Sequence, residues 1–520
     1  MAARDKLYAG RVVARTMLKH FERPDRLPRA LLAMAPWGQS IAGLVAGAAA
    51  RYPERVAVHD DAGSITYREL WQRSRAIATG LRHEGIGPGV AVGVLARNHR
   101  GFVEAITAVA ATGADLVLLN TGFAGPQLAD VVTHEGIEAV VHDDDFGAIA
   151  AGCGARLILD EVAIDAMTAE PAIAPGAAPG RVVILTSGTT GRPKGAARRS
   201  DANGIEGLAA LLERIPLRVN DTQVVAAPLF HAWGFSHLLL GLSRCATHVL
   251  ARRFDAEQTL RATSVHDARV VVVVPVMLAR ILALPADRLT AWPTPRLEVI
   301  ASSGSAIGPK LVVDVLDHFG PVLYNLYGST EVAIATIADP ADLRRAPGTA
   351  GRVAFGVRVE IVDKRGDPVP DGATGRVFVG GVMRFDGYTN GDDKERIRGL
   401  LSSGDMGFFR DGLLFVEGRD DDMIVSGGEN VFPHEVEDLL AHHPAVAEVA
   451  VVGVPDDEFG QALAAFVVRT PGARLTDQQV RDHVKRNLAR HKVPRTVAFV
   501  DELPRNTTGK LLRSRLTGQA

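Results

Sequence analysis

Ten consecutive residues, Thr186-Ser187-Gly188-Thr189-Thr190-Gly191-Arg192-Pro193-Lys194-Gly195, combine three glycines, four hydroxyls and a lysine directly after the apolar run 181–185. Glycines let successive backbone N–H groups turn toward one anion, the hydroxyls add donors, and Lys194 adds charge, a set suited to a triphosphate. The lysine stands out because the chain has nine lysines against 49 arginines. Gly195 rather than Ser or Thr follows it, so the segment is not the loop of P-loop NTPases. A second group, Tyr327-Gly328-Ser329-Thr330-Glu331, follows the apolar run 322–326, and ligands of open α/β sheets collect just beyond such strands. There an aromatic can stack on adenine, Thr330 can bond a phosphate, and Glu331 can hold Mg²⁺, a hard cation that prefers carboxylate oxygen. Taken alone, Glu331 reads as a surface helix-cap acid, Asp405 as an Asx-turn in Ser403-Gly404-Asp405, and His231 as a satisfied core residue. His231 lies between Phe230 and Trp233, with Phe235 beyond, in an apolar segment that could line a tunnel.

These groups must be held by β-α-β units. Apolar runs at 90–95 and 115–119 alternate with helical patterns at 67–81 and 101–111, which predicts an α/β protein built on mostly parallel sheets. Further strands are expected at 223–227, 270–274, 297–301 and 322–326, and the Ala/Pro/Gly-rich stretch 163–180 reads as a surface linker. After residue 418 the pattern changes. A helix near 434–442, strands at 446–454 and 462–468, a helix at 477–490 and a strand at 496–500 describe a small α+β domain, giving domains 1–418 and 419–520.

Composition narrows the function. A formal charge of -2 leaves no field directed at nucleic acid, and 47% hydrophobic with 23% charged residues describes an ordinary globular chain. Two cysteines, Cys153 and Cys245, are too few for a disulfide framework, so a reducing, cytoplasmic setting is expected. Residues 31–50 carry no charge, but Pro36, Gln39 and Ser40 interrupt them, which favours a soluble helix over a membrane span or signal peptide. Upstream, Arg11, Arg15 and Lys19 beside Val13, Met17 and Phe21 outline a basic amphipathic helix that leaves peripheral membrane contact open.

The sequence resembles the adenylate-forming superfamily of acyl-CoA synthetases, adenylation domains and luciferases. The resemblance rests on the phosphate-loop segment and on further motifs in the family's order. These are Ala227-Pro228-Leu229-Phe230-His231, Tyr327 to Glu331, Gly387-Tyr388-Thr389-Asn390, Ser403-Gly404-Asp405, Gly418-Arg419, Gly427-Gly428-Glu429-Asn430 and Pro504-Arg505-Asn506-Thr507-Thr508-Gly509-Lys510. It spans roughly residues 41–513 and is most similar to fatty-acyl-CoA synthetases. It implies a large N-terminal domain that binds ATP and the acyl group, with a small mobile C-terminal domain that carries the catalytic Lys510. It also implies that Asp405 accepts both ribose hydroxyls with help from Arg419, and that Asn325, Gly304, Ser305, Gly328 and Ser329 belong to the nucleotide site. His231, Phe235, Ser303, Gly304 and Gly328 would line the acyl pocket, His231 as a gate rather than a base. Gly427, Gly428 and Glu429 would meet CoA, and Asp421 would be the hinge.

The expected reaction is activation of a carboxylic acid, a medium- or long-chain fatty acid, to acyl-AMP and then acyl-CoA, with ATP, Mg²⁺ and CoA. The alternatives are an aryl acid, or an acyl-AMP ligase or adenylation enzyme that loads a carrier protein; absence of an insertion between Tyr388 and Asp405 favours CoA. A regulator that has lost catalysis is disfavoured by intact Lys194, Glu331, Asp405 and Lys510. A homodimer stays open. Three departures from the family pattern stand out: Ser302-Ser303-Gly304-Ser305-Ala306 where Gly-Gly-Ala-Pro is common, Ser200 six residues after the loop lysine, and Val425 where some members carry a lysine. Arg481, Lys485, Arg486 and Arg490 read as a solvated basic face in preference to a CoA-phosphate site.

Overall fold

The computed structural model describes residues 11–12, 25–172, 174, 179–186, 194–198, 204–381, 387, 393–420, 423–426, 429–456, 460–506 and 509–517. Among them are four sheets. In the largest, six parallel strands lie in the order Leu323–Tyr327, Val299–Ser302, Val270–Val273, Thr222–Val225, Thr247–Val249 and Val56–Asp60. Short antiparallel strands close both its edges. The all-valine strand Val270–Val273 is fully buried, as a central parallel strand covered on both faces must be. The second sheet runs Leu157–Leu159, Ile137–His142, Ala91–Leu95, Asp115–Leu118, Val182–Thr186, all parallel, and ends on the antiparallel strand Lys194–Arg198. Helices pack between, among them Tyr67–His83, started by a Thr66/Glu69 capping box.

The mostly parallel architecture read from the sequence is therefore present, with one sheet that the reading passed over. The strands Val357–Val362, Gly375–Gly381, Arg396–Ile397, Leu400–Arg410 and Leu413–Arg419 form an all-antiparallel third sheet. Its signal was there: Asp411-Gly412, both at positive φ, join two runs with Phe408 and Phe415 stacked across them, a hairpin turn by residue type.

The C-terminal sheet orders Glu429–Val431, Ile424–Ser426, Gly460–Arg469 and Val446–Asp456, with Thr496–Phe499 parallel to Gly460–Arg469. Strand alternation splits its core into two layers. Val451, Leu463, Ala465 and Val467 pack with Val436, Leu440, Val480 and Val484 on one face, while Ala450, Val452, Ala464 and Phe466 meet Leu503 and Leu516 on the other.

Several local expectations need correction. The linker expected from residue 163 begins as structure: Asp160 caps the helix Glu161–Ala166, Ile164 is buried, and Met167 packs against Gly80, so apolar side chains fold this stretch down. The helix expected over 477–490 stops at Asn487; its buried stripe is Val480 and Val484, Leu488 is extended, and Arg490–Lys492 form a separate turn. Arg490 is therefore off that helix face, and Arg481 pairs with Asp477 one turn earlier. The uncharged stretch 31–50 splits at Ala35–Trp37 into the helices Arg26–Met34 and Ile41–Arg51, the second capped by Ser40. No helix among the described residues is long and apolar enough to cross a membrane. Of the basic N-terminal pattern, Arg11 is described, while Val13, Arg15, Met17, Lys19 and Phe21 lie outside the described residues.

One buried ion cluster fixes the strand that leads to His231. Just before Thr222–Val225, Asp221 accepts from Arg269 at 2.6 and 3.0 Å, from the Arg218 amide at 2.7 Å, and from Arg244 at 3.4 Å. Arg244 and Arg269 are both nearly inaccessible, so Asp221→Ala strands two guanidinium groups without their shared carboxylate. The expected cost is about 3–5 kcal/mol of unfolding free energy, read from urea denaturation; a loss below about 1 kcal/mol contradicts it.

Candidate active site

The parallel strands of the large sheet end along one edge, and the residues singled out for chemistry follow those ends. After Val299–Ser302 the chain turns through Ser303, Gly304 and Ser305, with Gly304 at φ 93°. Ser303 Oγ donates to the Leu326 carbonyl at 2.8 Å and ties this loop to the next strand. After Leu323–Tyr327 the chain folds back so tightly that a Cβ on Gly328 would lie 1.9 Å from the Ala333 carbonyl oxygen. Glycine is needed there for a close backbone approach. Ser329 Oγ donates to Glu331 Oε2 at 2.6 Å and accepts from the amides of Glu331 and Val332, each at 3.3 Å. Glu331 is buried, not a surface cap, and Lys394 Nζ lies 4.0 Å from its carboxylate while donating to the Ser403 carbonyl.

Asp405 reaches the same edge from the antiparallel sheet. It sits inside the strand Leu400–Arg410, in register with Arg419, and not in an Asx-turn. The residue that suggested a turn, Gly404, is at φ 80° within that strand, and a Cβ there would lie 3.1 Å from Arg419 Nη2. Tyr327 donates its hydroxyl to Asp405 Oδ2 at 2.5 Å, and the Asp405 amide donates to Ser403 Oγ. Burial raises the Asp405 carboxyl above its ordinary range, opposed by the Tyr327 hydroxyl and the Arg419 charge. Burial, with the neighbouring carboxylate, pushes the Tyr327 phenol well above its ordinary value, so it stays a donor.

On the other side, His231 occupies the N-cap position of the helix Ala232–Ser243 without a side-chain cap bond, its ring against Phe230. Its Nε2 is buried with no partner among the described residues, and burial lowers its pKa to about 3. The satisfied core histidine expected from sequence is thus unsatisfied, and it is neutral. Trp233 Nε1 donates to the Val273 carbonyl at 3.0 Å, which pins the indole across the strand end. Phe235 is buried in the main core. Sequence reading missed His237, one turn beyond Trp233 and edge-on to it at 4.4 Å. It is fully buried, neither ring nitrogen has a partner among the described residues, and its pKa falls to about 3 through burial. The i, i+4 spacing to Trp233 was its only sequence signal.

The C-terminal domain closes over this edge. Asn506 and Lys510 exchange backbone and side-chain hydrogen bonds, and Arg505, paired with Glu448, donates to the Gly509 carbonyl. Gly509, at φ 77°, is so close to the first turn of Pro275–Leu282 that a Cβ would lie 2.2 Å from Val276 Cγ1. Val274, at the end of the central strand, faces both Gly509 and Gly304. The exposed Lys510 therefore follows a glycine that is docked where the strands end.

Some expected site residues fall elsewhere. Thr186 and Lys194, at the two ends of the phosphate-loop segment, are paired ends of antiparallel strands. Ser187, Gly188, Thr189, Thr190, Gly191, Tyr388, Thr389, Asn390, Asp421, Gly427 and Gly428 lie outside the described residues. Glu429 opens a strand paired to Ile424–Ser426. Asp420, from the acidic run, lies 3.4 Å from Arg376.

With this geometry in view, the relatives are informative. Residues 45–389 match the AMP-binding enzyme family, and residues 435–510 match the AMP-binding enzyme C-terminal domain. A 2-succinylbenzoate–CoA ligase of Bacillus cereus is 32% identical over 476 residues, covering 89% of this chain and 95% of that protein. A feruloyl-CoA synthase of Amycolatopsis is 33% identical over 470 residues with the same coverages. Among solved structures, o-succinylbenzoate CoA synthetase from Bacillus subtilis, in complex with its acyl-adenylate intermediate, superposes with a TM-score of 0.81 at 27% identity, covering 91% of this chain and 97% of that one. The amide bond synthetase McbA from Marinactinospora thermotolerans gives 0.82 at 28%, covering 94% and 99%. A large N-terminal and a smaller C-terminal domain, both matched in order, make this chain a member of the AMP-binding enzyme family, the adenylate-forming acid–CoA ligases.

Proposed function

We propose that this AMP-forming ligase activates a substituted aromatic acid and transfers the acyl group to CoA. The docking of Gly509, next to Lys510, on Val274 and Val276 at the end of Val270–Val273, in the sheet whose parallel strand Leu323–Tyr327 ends on Tyr327 bonded to Asp405, carries the reading of the chemistry. The relatives supply the substrate class, since their names carry 2-succinylbenzoate and ferulate. The expectation of a medium- or long-chain fatty acid, and of a place in lipid metabolism, gains no support from them. The segment after Phe230 is compatible with that class: Trp233 is held by its bond to the Val273 carbonyl, and the buried His231 Nε2 has no partner among the described residues and suits a ring with a hydrogen-bonding substituent.

In this reading Thr186 to Gly191 and Lys194 hold the phosphates, with Thr330. Asn325, whose buried Oδ1 has no partner among the described residues, accepts from the adenine amino group, and Tyr327 with Gly304, Ser305, Gly328 and Ser329 encloses the base. Asp405 and Arg419 take the ribose hydroxyls. The single buried carboxylate of Glu331 fits Mg²⁺, which takes one or two protein carboxylates beside substrate phosphates; when bound, the ion neutralises phosphate charge. The substrate carboxylate attacks the α-phosphorus and pyrophosphate leaves; CoA thiolate then attacks the acyl carbon and AMP leaves. Lys510 stabilises charge that develops on the α-phosphoryl oxygens in the first step. Ser303 and Phe235 belong to the wall of the acyl pocket, and His231 is its gate, because a base with a pKa near 3 is a poor proton acceptor. The small domain is taken to start at Arg419 with its hinge at Asp421, and Gly427, Gly428 and Glu429 to face CoA after it rotates.

Four measurements test this. Incubation with ATP, CoA and a panel of aromatic and fatty acids should yield AMP and acyl-CoA fastest with aromatic acids; ADP as product, or faster turnover of fatty acids, contradicts it. Amines supplied in place of CoA check the acceptor that McbA's name raises. Lys510→Ala should cut acyl-AMP formation on the order of 100 to 1,000-fold while supplied acyl-AMP and CoA still react, and Gly428→Leu should do the reverse; matched losses in both half-reactions would sink the assignment. Tyr327→Phe removes a donor that favours the charged Asp405, so the carboxyl pKa, already raised by burial, rises further. The acid limb of AMP affinity should then move to higher pH; an unmoved or lowered limb refutes the role given to Asp405.

A further inference from the structure

Besides Lys194 and Lys510, a third lysine stands at the candidate site. Lys394 lies just ahead of the short strand Arg396–Ile397, and the Ser402 amide donates to the neighbouring Glu395 carbonyl at 2.9 Å, which fixes this backbone beside the strand that carries Asp405. The acids on either side are turned elsewhere: Asp393 pairs with Arg396 and Glu395 with Arg376. The Lys394 side chain, 21% exposed, reaches the joint between the two sheets. Its Nζ donates to the Ser403 carbonyl at 3.3 Å and lies 4.0 Å from Glu331 Oε2. Burial raises the Asp405 carboxyl, and the Lys394 charge is among those that oppose this. An ammonium has three donors; the Ser403 carbonyl takes one, and at 4.0 Å the Glu331 carboxylate is an ion-pair partner beyond hydrogen-bond reach. Lys394 thus holds a cation with donors to spare, among the described residues, where the Asp405 and Glu331 sides of the site meet. A nucleotide laid from Asp405 toward Thr330 and Glu331 carries its first phosphate past this ammonium.

We propose that Lys394 binds the α-phosphate of the nucleotide, the phosphate that stays in the adenylate after pyrophosphate has left. The inference rests on the nucleotide placement proposed above. Unlike Lys510, Lys394 precedes Arg419, where the small domain is taken to start, so it keeps its place when that domain rotates. It therefore holds the adenylate through both half-reactions, whereas Lys510 serves the first.

Calorimetric titration with AMP and with adenosine, in the presence of a chelator, reads the contact without Mg²⁺ and without any acid, since the two ligands differ by the phosphate alone. Lys394→Met, which keeps the length of the side chain and removes its charge, should weaken AMP binding about tenfold, the loss of one partly exposed charge-assisted hydrogen bond, and leave adenosine binding unchanged. Lys394→Arg should keep most of the AMP affinity. Equal weakening of AMP and adenosine would reduce Lys394 to a support for Glu331 and the strands around it, and unchanged AMP binding would remove it from the phosphate; either result overturns the proposal. Wild-type protein that binds AMP no better than adenosine overturns the nucleotide placement and this inference together, whereas a phosphate preference that survives Lys394→Met overturns the inference alone. With acyl-AMP and CoA supplied, Lys394→Met should raise the KM for acyl-AMP and Lys510→Ala should not. An unchanged KM in Lys394→Met contradicts a role in the second half-reaction.

Discussion

The hydrogen bond from Tyr327 to Asp405 joins two sheets of different construction, and the candidate site lies at that joint. Tyr327 ends the last parallel strand of the large sheet, while Asp405 comes from the middle of an antiparallel strand. A carboxylate buried to this extent is costly unless donors surround it, and here the donors come from both sides of the joint. The Tyr327 hydroxyl, the Arg419 charge and the Ser403 hydroxyl all favour its charged form, while burial opposes it. Ser403 in turn donates to the Val377 carbonyl and Ser303 to the Leu326 carbonyl, so hydroxyl-to-carbonyl bonds lock each loop to its neighbouring strand. A donor-lined carboxylate held between rigid strands is preorganised for a polyol, since nothing has to be reoriented when the ligand arrives.

Residue type and local order made much of this legible in the sequence. A phosphate needs glycines, hydroxyls and a cation close together, and that requirement is met within ten residues whatever the rest of the chain does. The valine run at 270–273 could only be a buried strand, and the structure places it at the sheet's centre. The reading failed where partnership is distant. Val357–Val362 interleaves Arg358 and Glu360 with apolar residues and carries no continuous apolar run, and its sheet is visible only once Gly375–Gly381 is beside it. Asp405 looked like a turn because Gly404 at positive φ is compatible with either a turn or a distorted strand, and pairing to Arg419 decides between them. His237 resembles any core histidine until its unpaired nitrogens are seen.

The described contacts between the two domains bear on the proposed rotation of the smaller one. A large apolar interface would hold one orientation against the other, whereas domain contacts that are modest and partly polar permit exchange. Among the described residues the domains meet at Gly509 against Val276 and at Phe432 against Gly418. Gly509 shows how finely the approach is set. Any side chain there would begin 2.2 Å from Val276 and also at a backbone angle that L-residues avoid, so the loop comes this close only because the residue before Lys510 has no Cβ. Glycine thus gives Lys510 its proximity without adding adhesive surface.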